Sequence, residues 1–73
     1  MKGAGFLRRI QAIGHATGTA VVFDLKHGKG SHGRLYYGSA FTTLKDRKKE
    51  IGAGLLAKML RDLGIERGDF DRN

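Results

Sequence analysis

His32 is the residue best suited to do chemistry in this 73-residue chain. It follows the glycine-rich basic segment Gly28–Ser31, and the cations Lys29 and Arg34 lie close to it in the sequence. An imidazole can move a proton near neutral pH, and flanking cations can hold a phosphate. Metal-free RNA cleavage needs such groups: a base for the 2′-hydroxyl, an acid for the 5′-oxygen and positive charge at the phosphate.

The same residues also fit a phosphate-binding surface that performs no catalysis. Reactive sites are a minority among surface residues, so composition and spacing alone favour this simpler interpretation. The other two histidines, His15 and His27, stand beside glycines in predicted loops, and neither belongs to the i, i+4 pair of a zinc-binding helix. We therefore expect no metal and no cofactor.

Residues 28–33 match the pattern G-x-G-x-x-G, which occurs in dinucleotide-binding folds. That fingerprint requires a strand, a glycine turn and then a helix within a βαβ unit. Here the residues that follow are Arg34–Tyr37, which have the pattern of a strand, and the chain is too short for such a fold. A P-loop is also excluded, because no Gly-Lys-Ser/Thr closes the run.

The charge of the chain indicates a polyanionic partner. Fourteen Lys and Arg residues stand against seven Asp and Glu, which gives a formal net charge of +7. Nucleic acid is the first candidate and an acidic protein the second. An anionic membrane is third, since no apolar run approaches the roughly 20 residues that span a bilayer. The absence of Cys excludes a disulfide scaffold and a thiolate zinc site, and it favours the reducing cytoplasm.

A second basic element is the run Lys45-Asp46-Arg47-Lys48-Lys49. It places four cations close to the predicted start of the last helix, and a helix N-terminus is itself electropositive. The run is interpreted as a solvated loop, as a phosphate contact or as a docking surface for an acidic protein. The charge excess favours contact with a phosphate or an acidic partner.

Helical spacing of apolar residues predicts two helices. The first spans roughly Lys2–Ile13, with Gly14 as its cap. The second follows the basic run and ends at Gly64, and because Gly52 and Gly54 weaken its first turn, its start is expected as late as Gly52 or Ala53. The apolar stripe of the first helix consists of Phe6, Ile10 and Ile13, with Leu7 beside them. That of the second consists of Ile51, Leu55, Met59 and Leu63, and it is widened by Leu56 and Leu60.

Between the helices, a period of two predicts three strands of an antiparallel meander. These strands are Ala20–Lys26, Ser31–Tyr37 and Ala40–Lys45. We therefore predict one α+β domain over residues 1–73, in the order α-β-β-β-α, with both helices on one face of the sheet. The open face would carry His32, Arg34 and Tyr36. The polar C-terminal tail contains Phe70, which we expect to dock on the core or on a partner.

The order of these motifs and elements resembles that of HicA, the toxin of HicA–HicB toxin–antitoxin pairs. The resemblance begins with Lys29-Gly30-Ser31-His32, which opens a strand after an amphipathic helix and a Val/Phe strand. It continues through Lys48-Lys49-Glu50-Ile51, Leu60–Ile65 and Asp69-Phe70. It covers roughly residues 5–70. The Gly-Ser-His element is short, and its setting in a chain of this length and element order makes it specific.

The resemblance implies a fold like the double-stranded-RNA-binding domain (dsRBD) and activity as a metal-independent mRNA interferase. It also implies inhibition by a cognate HicB antitoxin. The catalytic histidine of the family maps onto His32, and its glycine-serine lead-in maps onto Gly30 and Ser31; charge and proximity add Lys29 and Arg34. In a dsRBD a basic helix start touches phosphates. This role would fall to Lys45, Arg47, Lys48 and Lys49.

Two positions depart from the family pattern. Many relatives have a second histidine directly after the catalytic one, where this chain has Gly33. Relatives also often carry proline near the end of the third strand, where this chain has Leu44-Lys45-Asp46. The identity of the general acid is therefore open between Lys29, Tyr36 and substrate-bound water.

Overall fold

The computed structural model of the chain describes residues 1–25 and 32–72. Its elements are helix α1 (Gly3–Thr17), strands β1 (Val21–Asp24), β2 (Gly33–Tyr37) and β3 (Ala40–Leu44), and helices α2 (Ala53–Leu63) and α3 (Arg67–Arg72). The strands form one antiparallel sheet in the order β1-β2-β3. The predicted α+β class and the α-β-β-β-α order are confirmed, and a short third helix is added at the C-terminal end.

One face of the sheet is covered by helices and the other is open. Helix α1 packs against β1 and β2, and α2 packs against β3. Successive residues of a strand point to opposite faces. Leu35 and Leu44 are accordingly buried beneath the helices, whereas Arg34 and Phe41 are exposed on the other face. The sequence prediction of a covered face and an open face is confirmed.

The core lies between the helices and the covered face of the sheet. Its buried apolar side chains are Phe6, Ile10, Ile13, Leu35, Leu44, Ile51, Leu56, Met59, Leu60, Leu63, Ile65 and Phe70. The Phe70 ring lies 5.6 Å from the Phe6 ring, centroid to centroid, and the Arg9 guanidinium lies 5.1 Å from the Phe70 centroid. The expectation that Phe70 docks on the core is thus confirmed, and it joins α3 to α1.

Helix α1 is longer than the sequence predicts, and the assignment of Gly14 as its cap is wrong. The helix continues through His15, which is an exposed helical residue rather than part of a loop, and ends at Thr17. Gly18 follows in the left-handed region with φ 70°. Gly14 is needed for a different reason: a Cβ atom there would meet the Val21 side chain and lie 2.7 Å from the Thr19 carbonyl oxygen.

The predicted apolar stripe of α2 is confirmed for Met59 and Leu63, which are buried, and is wrong for Leu55, which is 42% exposed. Helix α2 begins at Ala53, directly after Gly52, and is followed by Gly64 with φ 71°, as predicted. Helix α3 has six residues, of which only Phe70 is buried, so its sequence contains no repeated spacing of apolar residues that would predict a helix. Among the described residues, no helix is both long enough and apolar enough to cross a bilayer.

A polar contact ties the edge strand β3 to α2. The Thr42 side chain is buried, and its hydroxyl donates to Oδ2 of Asp62 over 2.9 Å. The Lys58 ammonium donates to the same oxygen over 2.8 Å. Both hydrogen bonds favour the ionised carboxylate and hold the pKa of Asp62 below its ordinary value, the bond from Lys58 having the larger effect.

We predict that this contact makes stability depend on acid pH. Because the pKa of Asp62 is lower in the folded than in the unfolded chain, its contribution is present above the unfolded pKa and is lost as pH falls through the folded pKa. The difference in unfolding free energy between wild type and Asp62→Asn should therefore shrink on titration from about pH 6 to about pH 2. Urea denaturation across that range measures it, and a pH-independent difference would contradict the assignment.

Candidate functional site

His32 lies at the beginning of the open face, directly before β2. Its side chain is exposed. Positions 32, 34 and 36 alternate along the strand onto one face, where Arg34 is exposed and Tyr36 is half-buried. The predicted placement of Arg34 and Tyr36 on the open face is confirmed, and the position of His32 continues their row.

Lys45 directly follows β3, as His32 directly precedes β2. The last paired residues of the two strands are Gly33 and Leu44, so His32 and Lys45 flank the end of the paired region. Lys45 is exposed, as are His32 and Arg34. One exposed imidazole and two exposed cations therefore flank or occupy the same end of the β2–β3 pair.

Gly33 explains why no second side chain stands beside His32. The residue is buried on the helix side, and a Cβ atom there would lie 2.8 Å from the Phe23 ring and 3.0 Å from the Asp24 carbonyl oxygen. Any side chain at position 33 would point into the covered face. A histidine at this position would therefore not share the open face with His32, and no proton donor is to be sought there.

Tyr36 is also separated from His32 by the geometry of the strand. Four residues of strand span about 13 Å, well beyond the hydrogen-bond reach that proton transfer needs. Tyr36 packs instead against Phe41, with ring centroids 5.8 Å apart. Of the candidates for the general acid, Tyr36 is disfavoured, and substrate-bound water and Lys29 are left.

The backbone of the basic run at residues 45–49 is hydrogen-bonded to the start of α1. The N–H groups of Gly3 and Ala4 donate to the carbonyl oxygens of Lys49 and Arg47 over 3.1 and 2.9 Å. These are the first amides of α1, which have no acceptor within the helix. The backbone of the run thus occupies the N-terminus of α1, and this non-local role has no signal in the local sequence.

The cations of the run divide into two groups. The Arg47 guanidinium lies 5.4 Å from the centroid of the Phe23 ring, which packs toward the core, so Arg47 is held on the covered side. Lys45 and Lys49 both line a groove of about 280 Å³ between β3 and the first half of α2. Lys45, Lys48 and Lys49 are exposed, and no ion pair involves them within residues 1–25 and 32–72.

Three of the predicted contact residues, Lys29, Gly30 and Ser31, lie outside the described residues. The same holds for His27, which was predicted to stand in a loop. The site that can be described therefore consists of His32, Arg34 and the lysines of the basic run.

No metal-binding cluster of three or more His, Cys, Asp or Glu residues occurs in the part of the chain that the structure describes. Comparison with protein-family models, with curated proteins and with solved structures found no match for this chain.

We predict that Gly33→Ala destabilises the protein and disturbs the start of β2. The added methyl group must displace the Phe23 ring, and overpacking of this kind costs about 1–3 kcal/mol. Urea denaturation measures the free energy, and the NMR shifts of His32 report the local change. The matched control is Gly54→Ala in α2, where the methyl group meets nothing within 4 Å and should add up to about 1 kcal/mol of stability. Equal effects of the two substitutions would contradict this account.

Proposed function

We propose that this protein is a HicA-like endoribonuclease toxin that cleaves mRNA without a metal ion. The observation that carries the proposal is His32, an exposed imidazole that directly precedes β2, two residues before the exposed Arg34 of the open face and at the strand end that Lys45 also flanks. The resemblance of the sequence to HicA supports the same reaction. The basic run and the net charge of +7 fit a polyanionic substrate.

His32 acts as the general base in the proposed reaction. Its neutral imidazole takes the proton of a 2′-hydroxyl, and the 2′-oxygen then attacks the adjacent phosphorus. The bond from phosphorus to the 5′-oxygen breaks, which gives one product ending in a 2′,3′-cyclic phosphate and one beginning with a 5′-hydroxyl. The leaving 5′-oxygen takes its proton from bound water or from Lys29.

Arg34 and Lys45 provide positive charge where the reaction develops negative charge. The phosphate becomes more negative at its non-bridging oxygens as the 2′-oxygen attacks, and fixed cations stabilise that state. A guanidinium can also bind two phosphate oxygens at once, which orients the group relative to His32. Both side chains are exposed, so an RNA strand can reach them without a conformational change.

A toxin of this kind would have a protein inhibitor as its partner and would act where mRNA is present. A HicB-like antitoxin with an acidic surface would bind the same cations that hold RNA phosphates, and it would inhibit the enzyme by covering them. The substrate, mRNA, and the absence of Cys together favour the cytoplasm.

We predict that His32→Ala abolishes RNA cleavage in EDTA and relieves growth inhibition, while the circular dichroism spectrum stays that of wild type. The matched control is His15→Ala, which removes an exposed histidine from α1 and should leave cleavage unchanged. Gel analysis of a labelled RNA measures the rate, and the 3′ ends of the products identify the attacking group.

Full cleavage by His32→Ala in EDTA would refute the assignment. Products with 3′-hydroxyl ends would contradict attack by the 2′-oxygen, even if His32 proved essential.

A non-catalytic RNA-binding module is the second candidate. It is favoured by the exposed lysines of the basic run, because phosphate contacts alone supply sequence-independent affinity and need no histidine. This candidate predicts salt-sensitive RNA binding and no strand scission at any protein concentration.

We predict that replacing Lys45, Lys48 and Lys49 by Gln weakens RNA binding at low salt. Each phosphate contact on a single strand contributes about 0.7 to the slope of log affinity against log salt, so the slope should fall in magnitude by about 2. A control with the same change in charge replaces Arg61, Arg67 and Arg72 by Gln on α2 and α3. Fluorescence anisotropy at several salt concentrations measures both slopes, and equal losses in the two variants would show that only net charge matters.

A further inference from the structure

A row of apolar and aromatic side chains crosses the open face of the sheet. Val22, Tyr36 and Phe41 are paired in register across the three strands. Val22 is 54% exposed and Phe41 is 46% exposed. The alternation that buries Leu35 on one face sends these three side chains to the other, where helices do not cover them.

The aromatic part of this row is joined to a cation. The Tyr36 and Phe41 rings lie 5.8 Å apart at their centroids, with their planes inclined by 42°. The Arg34 guanidinium lies 5.0 Å from the Phe41 centroid. We call Arg34, Tyr36 and Phe41 the aromatic cluster. It presents exposed ring surface next to a positive charge.

We propose that the aromatic cluster stacks a base of single-stranded RNA, with Phe41 as its main contact. This inference rests on the proposed function, and it names the substrate as an unpaired strand rather than a duplex. Aromatic rings and arginine planes bind bases that are free to leave a stack, whereas the bases of a duplex are stacked on one another. An apolar surface beside Arg34, on a chain of net charge +7, is complementary to a base that carries a phosphate.

The aromatic cluster and His32 are spaced along the direction of β2 in a way that suits an RNA chain lying parallel to this β-strand. Tyr36 and Phe41 lie about 13 Å from the position of His32, with Arg34 between them. A base stacked on the rings would therefore leave its neighbouring phosphates near Arg34, in the direction of His32. The cluster positions the RNA and touches no reacting atom.

The substrate that a stacking site selects differs from that of a duplex-binding domain. A dsRBD reads the shape and the backbone of paired RNA and does not need unpaired bases. The sheet face of this chain offers ring surface that such contacts would not use. Preference for unpaired RNA is therefore the property that separates the two modes of binding.

The test measures RNA binding by Phe41→Ala in a chain that also carries His32→Ala, so that the RNA stays intact. The probe is a short unstructured RNA oligonucleotide, alone or annealed to its complement. We expect affinity for the single strand to fall roughly tenfold, which is the effect of losing one stacked base, and affinity for the duplex to stay unchanged. The matched control is Leu55→Ala, which removes an apolar side chain that is 42% exposed on α2 and lines the groove between α2 and β3, outside the aromatic cluster.

A second variant keeps the test independent of any loss of folding. Phe41→Trp should retain the affinity of the parent chain, and its indole is the only one in a chain that otherwise lacks Trp. We expect its fluorescence to be quenched by the single strand and not by the duplex.

Several outcomes would overturn the inference. These are unchanged binding by Phe41→Ala, an equal loss for single strand and duplex, a loss that Leu55→Ala reproduces, or no RNA binding at all. Failure of wild type to cleave RNA would refute the nuclease and leave the stacking site standing if Phe41→Ala still lost affinity. Cleavage by wild type together with unchanged binding by Phe41→Ala would refute the stacking site alone.

Discussion

Burial of Leu35 and Leu44 beneath the helices determines which side chains of β2 and β3 face solvent. Because side chains alternate along a strand, a shift of one residue in register would exchange the two faces. The core would then receive Arg34 and Phe41, and the cost of burying an unpaired guanidinium excludes that arrangement. The register of β2 and β3 therefore determines both which apolar side chains enter the core and which polar side chains form the candidate site.

The segment between β3 and α2 has separate roles for its backbone and its side chains. Its carbonyl oxygens accept hydrogen bonds from the first amides of α1, and the amide of Ile51 donates to the Met1 carbonyl over 2.8 Å. These contacts join the two ends of the covered layer and fix the path of the chain after β3. The lysines stay exposed on a segment whose backbone is held in place. The backbone positions from which these lysines project are therefore fixed without a helix.

Much of the fold follows from local patterns. The alternation around Leu35 predicts β2 and the face that carries Arg34 and Tyr36, and Gly64 marks the end of α2 correctly. Gly14 misleads because a glycine that permits close approach and one that ends a helix look alike in sequence; only the contact with Val21 distinguishes them. The same limit applies to Phe41. In β3 each face has one large apolar residue and one threonine, so the pattern does not say which face is covered.

The candidate site, like the fold, is predictable from the sequence only where its residues are neighbours along one strand. His32 and Arg34 are neighbours in sequence, and strand geometry is enough to put them on one face. Arg47 carries the same charge as Arg34 but does not share its face of the sheet. Its guanidinium packs on the ring of Phe23, which lies 24 positions earlier in the chain. A run of like charges in a sequence therefore identifies a basic region without saying which of its members face the same surface.

Ion pairs compensate cations of α2 and α3, and they leave the lysines of the basic run without an acidic partner among the described residues. In α2 and α3, Lys58 pairs with Asp62, Arg67 with Asp71 and Arg72 with Asp69, while Glu50 pairs with the N-terminal ammonium. Exposed pairs of this kind add little stability, about 0–1 kcal/mol each. Their larger effect is on the electrostatic field, because they neutralise acidic groups on the helices. The exposed lysines of residues 45–49 have no such ion pair within residues 1–25 and 32–72, so their charge remains available to attract a polyanion.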